Sequence, residues 1–243
     1  MLEFQHRTAT LFPTILIEFK LENSDEFNKS IVEHLYAERE KNPNPENNYS
    51  ANGPKAWHSE KNLHLIDEQW SRDLYNLIVN TASTYANREI PDDSYVECWG
   101  MILPNGCYSN YHTHPGCNIS GTYWVQVPKE MKGLEEKDGE EVGGRFCVPD
   151  PRSGASAGLD VLPTFAKLPV PGHGMTFGSW LPHWVESHYF DEDRIALSWN
   201  ITLGHSIADN NKQEKRREKP GQVWNDKKKI ITPPPKVTQK IIL

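Results

Sequence analysis

The chain has 243 residues, 37% of them hydrophobic and 10% aromatic, so it is long enough to bury a sizeable core as one domain. No run of 18 apolar residues occurs, which argues against a transmembrane helix, and the N-terminus has no basic region followed by a long apolar stretch, which argues against a secretory signal. The net charge of −7 argues against a protein that binds nucleic acid over most of its surface.

The charge is unevenly distributed along the chain. Residues 206–243 carry ten Lys or Arg against four Asp or Glu, which leaves 16 against 29 for residues 1–205. We therefore expect a single folded domain over residues 1–205 and a basic, proline-containing C-terminal extension over residues 206–243. The acidic body does not favour nucleic acid as a partner, and a homodimer is compatible with the sequence.

The spacing of the four cysteines indicates a reducing environment. They contain no C-x-x-C pair, and in a chain of this length they predict neither a disulfide framework nor a structural zinc site. With no secretory signal, this predicts a cytoplasmic location.

The first third of the chain predicts one strand and two helices. Residues 11–20 are β-branched and predict a short strand, and Asn23 followed by Glu26 is typical of a helix start, with helical spacing through about residue 40. Residues 41–56 are rich in Asn, Pro and Gly and predict a loop. A stronger helix is predicted from residue 66 to residue 85, where apolar residues keep one face.

From residue 94 onward the pattern changes to that of short strands separated by Gly and Pro turns. Residues 129–144 and 153–170 predict loops. The predicted strands are 95–103, a strand bearing His112 and His114, 120–127, 145–148, 176–181, 184–186 and 194–203. Strands in this number after two helices predict a mainly β fold, a double-sheet jelly roll or barrel with helices packed outside.

The segment Asn110–Pro115 contains two histidines that could bind a metal. On an extended strand, His112 and His114 would direct their imidazoles to the same side. Neutral imidazole is the commonest protein ligand for transition metals, so the pair supplies two of the three ligands of an open metal site. The other interpretation of the spacing is a pair of exposed or hydrogen-bonded loop histidines.

Two further polar residues follow the later strands. His183 lies 69 residues after His114, and Arg194 opens the last predicted strand. Alternation along that strand puts four side chains on one face: Arg194, Ala196, Ser198 and Asn200. A cation pointing into a barrel is costly unless an anion binds there, and guanidinium binds carboxylate in a bidentate fork. The other interpretation is an outward arginine paired with an acidic residue at 191–193.

Five segments, in this order, resemble the 2-oxoglutarate/Fe(II) oxygenases of bacteria and phages. They are NYHTHP (110–115), SGTYWV (120–125), DPR (150–152), GMTFGSWLPHWV (174–185) and RIALSWN (194–200). The resemblance covers about residues 11–204, and the combination is more specific than any one segment.

The resemblance implies a double-stranded β-helix of the cupin-like type that binds one Fe(II) ion, 2-oxoglutarate and O2. His112 and His183 would bind the iron, and Arg194 would bind the distal carboxylate of 2-oxoglutarate. The implied reaction decarboxylates 2-oxoglutarate to succinate while it oxidises, by hydroxylation, an unidentified small molecule or peptide. For a phage-encoded member the location would be the host cytoplasm.

This chain departs from the family pattern at two positions. Most such oxygenases have H-x-D/E, whereas His114 occupies the carboxylate position here, so a set of three histidines and a carboxylate from elsewhere, with Asp150 the nearest candidate, both stay open. Ala196 stands where many relatives carry a serine that helps to hold the cosubstrate. Ser198 or Tyr123 would have to supply that polar group.

Several neighbouring residues have a simpler interpretation. Trp124, Trp180 and Trp184 would wall a pocket, but ordinary core packing is the favoured role for each. Asp150–Arg152 predicts a turn with a salt bridge, and His188 is predicted at the surface.

Two other classes of protein stay open. Gly106, followed after five residues by His112, fits the front half of a cupin metal motif, although its glutamate position falls on Asn118. A cupin-like metal protein without 2-oxoglutarate would leave Arg194 no carboxylate to bind. A degenerate barrel acting as a binding module would bind no stoichiometric metal.

Overall fold

The structure is a computed structural model that describes residues 7, 11–44, 51–53, 55–132, 143–152 and 164–204. Short 3-10 helices lie at Leu63–Leu65 and Lys129–Met131. The α-helices and strands of the described ranges are β1 Leu16–Lys20, α1 Asp25–Lys41, β2 Ala51–Asn52, β3 Trp57–His58, α2 Gln69–Ala86, β4 Tyr95–Leu103, β5 Tyr108–His112, β6 Ile119–Gln126, β7 Phe146–Pro149, β8 Thr164–Lys167, β9 His173–Gly178, β10 His183–Val185 and β11 Arg194–Thr202.

The strands form two antiparallel sheets. The six-stranded sheet has the order β1-β9-β6-β11-β4-β3, and the five-stranded sheet has the order β2-β5-β10-β7-β8. From β4 to β7, and again from β9 to β11, successive strands alternate between the two sheets. This alternation is the arrangement of a jelly roll, so the predicted mainly β fold with flanking helices is confirmed.

The outer face of the six-stranded sheet packs against both helices. Leu35 of α1 and Ile78 of α2 are fully buried there. The strands contribute Val96, Cys98, Ile102, Ile119, Tyr123, Val125, Ile195, Leu197, Trp199 and Ile201. Gly121 is required on this face, because a Cβ at that position would lie 2.3 Å from the indole ring of Trp199. Burial of this surface fixes the helices against the sheet.

The inner face of the same sheet packs against the five-stranded sheet. This second core contains Trp99, Met101, Leu103, Trp124, Met175, Phe177 and Ala196 from one sheet and Phe146, Val148 and Val185 from the other. The predicted alternation of β11 is therefore confirmed, since its odd-numbered apolar residues face the helices and Ala196 faces the inner core.

The structure corrects three predictions of local structure. His114 lies beyond the end of β5, so only His112 of the pair is on a strand. Strand β8 lies in the predicted loop 153–170, and β2 lies in the predicted loop 41–56. Both strands are short and lie at sheet edges, where apolar alternation is weak.

Some predictions fall outside the described residues. Most of the predicted loop 129–144, part of the loop 153–170 and all of the extension 206–243 lie there. Among the described helices, none combines the length and the apolar character needed to cross a bilayer. The cytoplasmic location, the homodimer and the division at residue 205 stay predictions.

Candidate metal centre and anion site

Three imidazoles converge where β5 and β10 pair. His183 is the direct partner of His112 in this pairing, and their ring centroids lie 4.3 Å apart. The ring of His114 lies 4.9 Å from that of His112, and its Nε2 is 3.2 Å from Nε2 of His183. One nitrogen from each ring lies within 4.8 Å of the other two. Three nitrogens bound to one ion at right angles lie about 3 Å apart, so this cluster fits a single transition metal.

Backbone carbonyls orient two of the three rings. Nδ1 of His112 lies 2.5 Å from the carbonyl oxygen of Asn110, and Nδ1 of His183 lies 2.9 Å from that of Leu181. A carbonyl only accepts, so each Nδ1 carries the proton and each Nε2 presents a lone pair. This is the arrangement of metal-binding histidines.

Burial keeps the three imidazoles neutral. Desolvation lowers the pKa of His183 to about 3 and that of His114 to about 2, with further lowering by the neighbouring imidazoles. Desolvation also lowers the pKa of His112. At neutral pH all three rings therefore have the unprotonated nitrogen that a metal requires.

Arg194 is buried on the inner face of the six-stranded sheet. Arg194 is only 1% exposed. Its Nε and Nη1 have no hydrogen-bond partner among the described residues. Burial lowers the pKa of Arg194 to about 10, so the group is still a cation at neutral pH. An isolated buried charge costs several kcal/mol, so this position fits an anionic ligand.

The outward interpretation of Arg194 is wrong. Asp193 instead forms an ion pair with Arg39 at 3.3 Å and accepts a hydrogen bond from the hydroxyl of Tyr36. Glu192 forms an ion pair with Lys129. Glu192 and Asp193 are thus paired with other residues of the surface, while Arg194 is buried on the inner face.

The two candidates for a cosubstrate hydroxyl lie on opposite faces. Ser198 shares the inner face with Arg194, is partly exposed, and lies opposite Trp99 and Thr122 in the sheet. Tyr123 lies on the helix face, and its hydroxyl donates to Oδ1 of Asn28 at 2.7 Å. The prediction for Tyr123 is therefore wrong, because alternation along β6 turns its ring away from Arg194.

Asp150 lies apart from the histidines. Its carboxylate forms an ion pair with Arg152 at 2.6 Å and also accepts a hydrogen bond from the backbone N–H of Arg152. The predicted turn with a salt bridge is confirmed. Among the described residues, the cluster able to hold a metal consists of histidines alone.

His188 is fully buried, so its predicted surface position is wrong. The ring contacts the inner strand β4, where Nε2 donates to the carbonyl oxygen of Leu103 at 2.8 Å. The polar residues around it in sequence hid this contact, which joins positions 85 residues apart.

Trp99 is a site residue that the sequence interpretation missed. The centre of its ring lies 6.1 Å from that of His114, and the ring stacks on His58 at 5.4 Å. The ammonium group of Lys61 makes a cation–π contact with it, 5.0 Å from the ring centre. The signal was present, since Trp99 alternates with Met101 on the inner face of β4. Trp124 is buried in the core as predicted, whereas Trp180 is 57% exposed.

A cleft of about 430 Å³ lies on the other side of β5 and β10 from the three histidines. It is lined by Tyr111 and Trp184, whose rings lie 6.0 Å apart. Each is the sequence neighbour of a histidine of the cluster and lies on the other side of its strand. The cleft is therefore separate from the histidine cluster.

Comparisons with known proteins agree with this geometry. Residues 97–200 match the model of a family described as "Putative 2OG-Fe(II) oxygenase". This span contains the three histidines and Arg194. No curated protein sequence matches the chain.

Solved structures with similar folds include two prolyl hydroxylases. A Pseudomonas putida prolyl-4-hydroxylase is 13% identical, with 78% of this chain and 93% of that chain covered and a TM-score of 0.52. A Trichoplax adhaerens prolyl hydroxylase in complex with a hypoxia inducible factor peptide is 12% identical, with 84% and 87% covered and a TM-score of 0.53. HygX from Streptomyces hygroscopicus, with nickel and 2-oxoglutarate bound, is 9% identical, with 79% and 84% covered and a TM-score of 0.50. At these identities the likeness establishes the fold.

Proposed function

We propose that this chain is a 2OG-Fe(II) oxygenase, an oxidoreductase that uses Fe(II), 2-oxoglutarate and O2, and that it hydroxylates a small molecule or a peptide. The match of residues 97–200 to the family model supports this proposal. In this proposal His112, His114 and His183 hold the iron. Arg194 binds the distal carboxylate of 2-oxoglutarate, and Ser198 supplies a polar contact on the same face. Succinate and CO2 are the coproducts.

The observation that supports this most strongly is the buried guanidinium of Arg194, whose Nε and Nη1 have no hydrogen-bond partner among the described residues. A buried cation without an acceptor is stabilised when a carboxylate enters, and the planar fork binds it through two parallel hydrogen bonds. Both the imidazoles and the guanidinium border the inner core, so one elongated dicarboxylate would contact both. A cupin-like protein without 2-oxoglutarate has no use for this cation.

In this proposal some of the described residues orient the metal ligands, and others exclude water from the pocket. Iron, when bound, supplies the oxygen chemistry. The carbonyls of Asn110 and Leu181 keep the rings of His112 and His183 in the ligand tautomer. Phe177 lies 4.9 Å from the ring of His183, and Phe146 lies 5.3 Å from it. These apolar walls exclude water and strengthen the charge interactions inside the pocket.

The ligand set differs from that of most such enzymes in its charge. Three neutral imidazoles provide no negative charge, whereas a set of two histidines and one carboxylate provides one. We therefore propose weaker iron binding in the absence of 2-oxoglutarate. The dianionic cosubstrate would then contribute more of the charge that retains the metal.

Anaerobic addition of Fe(II) and then 2-oxoglutarate tests the proposal before any substrate is known. We expect the weak visible charge-transfer band of the chelate to appear only when both are present. Binding of iron without the band, and with no effect of 2-oxoglutarate on the melting temperature, would indicate a cupin-like metal protein. Absence of stoichiometric iron would indicate a binding module.

A further inference from the structure

The third metal-site histidine is held differently from the other two. No described residue forms a hydrogen bond with Nδ1 of His114, and its Nε2 faces Nε2 of His183. Its backbone is held by two hydrogen bonds. The N–H of His114 donates to the carbonyl oxygen of Ser179 at 2.9 Å, and the carbonyl of His114 accepts from the N–H of Cys117 at the longer distance of 3.4 Å. The position of this ring therefore depends on the position of Ser179.

Ser179 belongs to a buried polar cluster that also contains Ser120 and Asn200. Oγ of Ser120 lies 2.9 Å from Oγ of Ser179 and 2.7 Å from Oδ1 of Asn200. Both serines are 1% exposed and Asn200 is 5% exposed. The amide oxygen only accepts, so Ser120 donates its one hydroxyl proton to Asn200 and accepts from Ser179.

The turn that begins at Ser179 serves a second ligand as well. The carbonyl of Ser179 accepts from His114, and the carbonyl of Leu181 accepts from Nδ1 of His183. The backbone N–H of Ser179 donates to the carbonyl oxygen of Asn118 at 3.1 Å. One short segment thus fixes the distance between two of the three imidazoles.

We propose that Ser120, Ser179 and Asn200 are positioning residues that hold His114 in place for the metal. This inference rests on the proposed function, because it assigns a purpose to a cluster that serves the iron site. A carboxylate ligand is drawn to a cation over a distance by its charge, whereas a neutral imidazole is not. An all-histidine centre therefore depends more on a backbone that is already in position, and the buried cluster supplies that position.

Binding of Co(II) alone, followed anaerobically through its visible absorption spectrum, tests the inference without turnover. We expect Ser120→Ala and Ser179→Ala to weaken Co(II) binding about 10- to 100-fold and to alter the spectrum. The matched control is Ser71→Ala, which also removes a fully buried hydroxyl, one that donates to the carbonyl oxygen of Leu63 at 2.7 Å in a region remote from the histidines. That control should lower the melting temperature and leave Co(II) affinity and spectrum unchanged.

The outcomes separate this inference from the proposed function. Folded Ser120→Ala and Ser179→Ala proteins that bind Co(II) like the parent overturn the positioning role alone. Failure of the parent to bind Co(II) overturns the metal site and the inference together. If Ser120→Ala does not fold, Ser179→Ala decides, because it leaves Ser120 its acceptor on Asn200.

Discussion

The two faces of β11 differ in what their buried side chains contact. Toward the helices, Ile195, Leu197 and Trp199 fill an apolar core formed by this chain itself. Toward the five-stranded sheet, Arg194 is equally buried but has two nitrogens without an acceptor in the described part of the chain. The first face is complete as folded, whereas the second would be completed by the carboxylate proposed to bind Arg194, so stability and binding should respond separately to changes on each.

Removal of a metal-site histidine should have the largest effect. His183→Ala deletes a ligand nitrogen from the inner side, so we expect Fe(II) binding to fall below detection and activity to be lost. Iron content after anaerobic loading measures this. His64→Phe is the control, since it replaces another buried histidine, one outside the cluster and next to Tyr75. Retained stoichiometric iron in His183→Ala would contradict the site.

Replacement of the buried cation Arg194 should weaken 2-oxoglutarate binding without lowering the stability of the protein. Arg194→Met should lose about 2–5 kcal/mol of 2-oxoglutarate binding, roughly a 30-fold to several-thousand-fold change in Kd, and still bind iron. The ligand-free protein should melt at the same or a higher temperature, because an apolar chain replaces a buried charge that has two nitrogens without a partner among the described residues. Calorimetric titration and melting curves measure both.

The control for that substitution is Arg39→Met. It removes a guanidinium whose partner, Asp193, lies near the surface. We expect it to cost up to about 1 kcal/mol of stability and none of the 2-oxoglutarate affinity. Parent-like affinity in Arg194→Met would exclude the assigned role.

Acid should destabilise the metal-free protein through its buried histidines. Burial lowers the pKa of His64 to about 4, whereas the same ring in the unfolded chain titrates near 6.5. Between pH 6.5 and pH 4, His64 is protonated in the unfolded chain but stays neutral in the folded chain. The free energy of unfolding therefore falls as the pH drops toward 4. The effect is about 1.4 kcal/mol per pKa unit.

Urea denaturation at pH 7 and pH 5, without metal, measures this dependence. His64→Phe should reduce it, since Nδ1 of His64 has no hydrogen-bond partner among the described residues and a phenyl ring replaces the imidazole without breaking a hydrogen bond there. An unchanged pH dependence in the variant would show that this histidine titrates normally.

The smallest expected effect lies on the helix face. Gly121→Ala places a methyl group against Trp199 and should cost about 1–3 kcal/mol of stability. Because the indole lies on the outer face, Kd for 2-oxoglutarate should stay at the parent value. A large loss of affinity here would mean that the two faces are coupled.

Periodicity predicted much of this architecture. Strand β4 has the bounds expected from the sequence, and the alternation along β11 assigned Arg194 to the inner face, because each strand is long and buried on both sides. The helices differ from prediction by only a few residues at their ends. The histidine cluster brings together the three residues that the motifs indicated.

Contacts between distant residues could not be predicted in the same way. The hydrogen bonds of Ser120 join positions 59 and 80 residues away, and local spacing carries no signal for them. The burial of His188 depends likewise on a carbonyl in another strand. The hydroxyl of Tyr123 was misassigned because its partner lies on a helix 95 residues earlier in the chain.

The imidazoles of His112 and His183 are carried by one sheet and the guanidinium of Arg194 by the other. In the proposed binding mode, the length of a diacid that reaches both ends would be set by the gap between the sheets, which Met175 and Phe177 help to fill. Dicarboxylates one methylene shorter or longer should then be discriminated by inter-sheet packing rather than by any single polar contact. Cosubstrate selectivity in this molecule would be a property of its architecture.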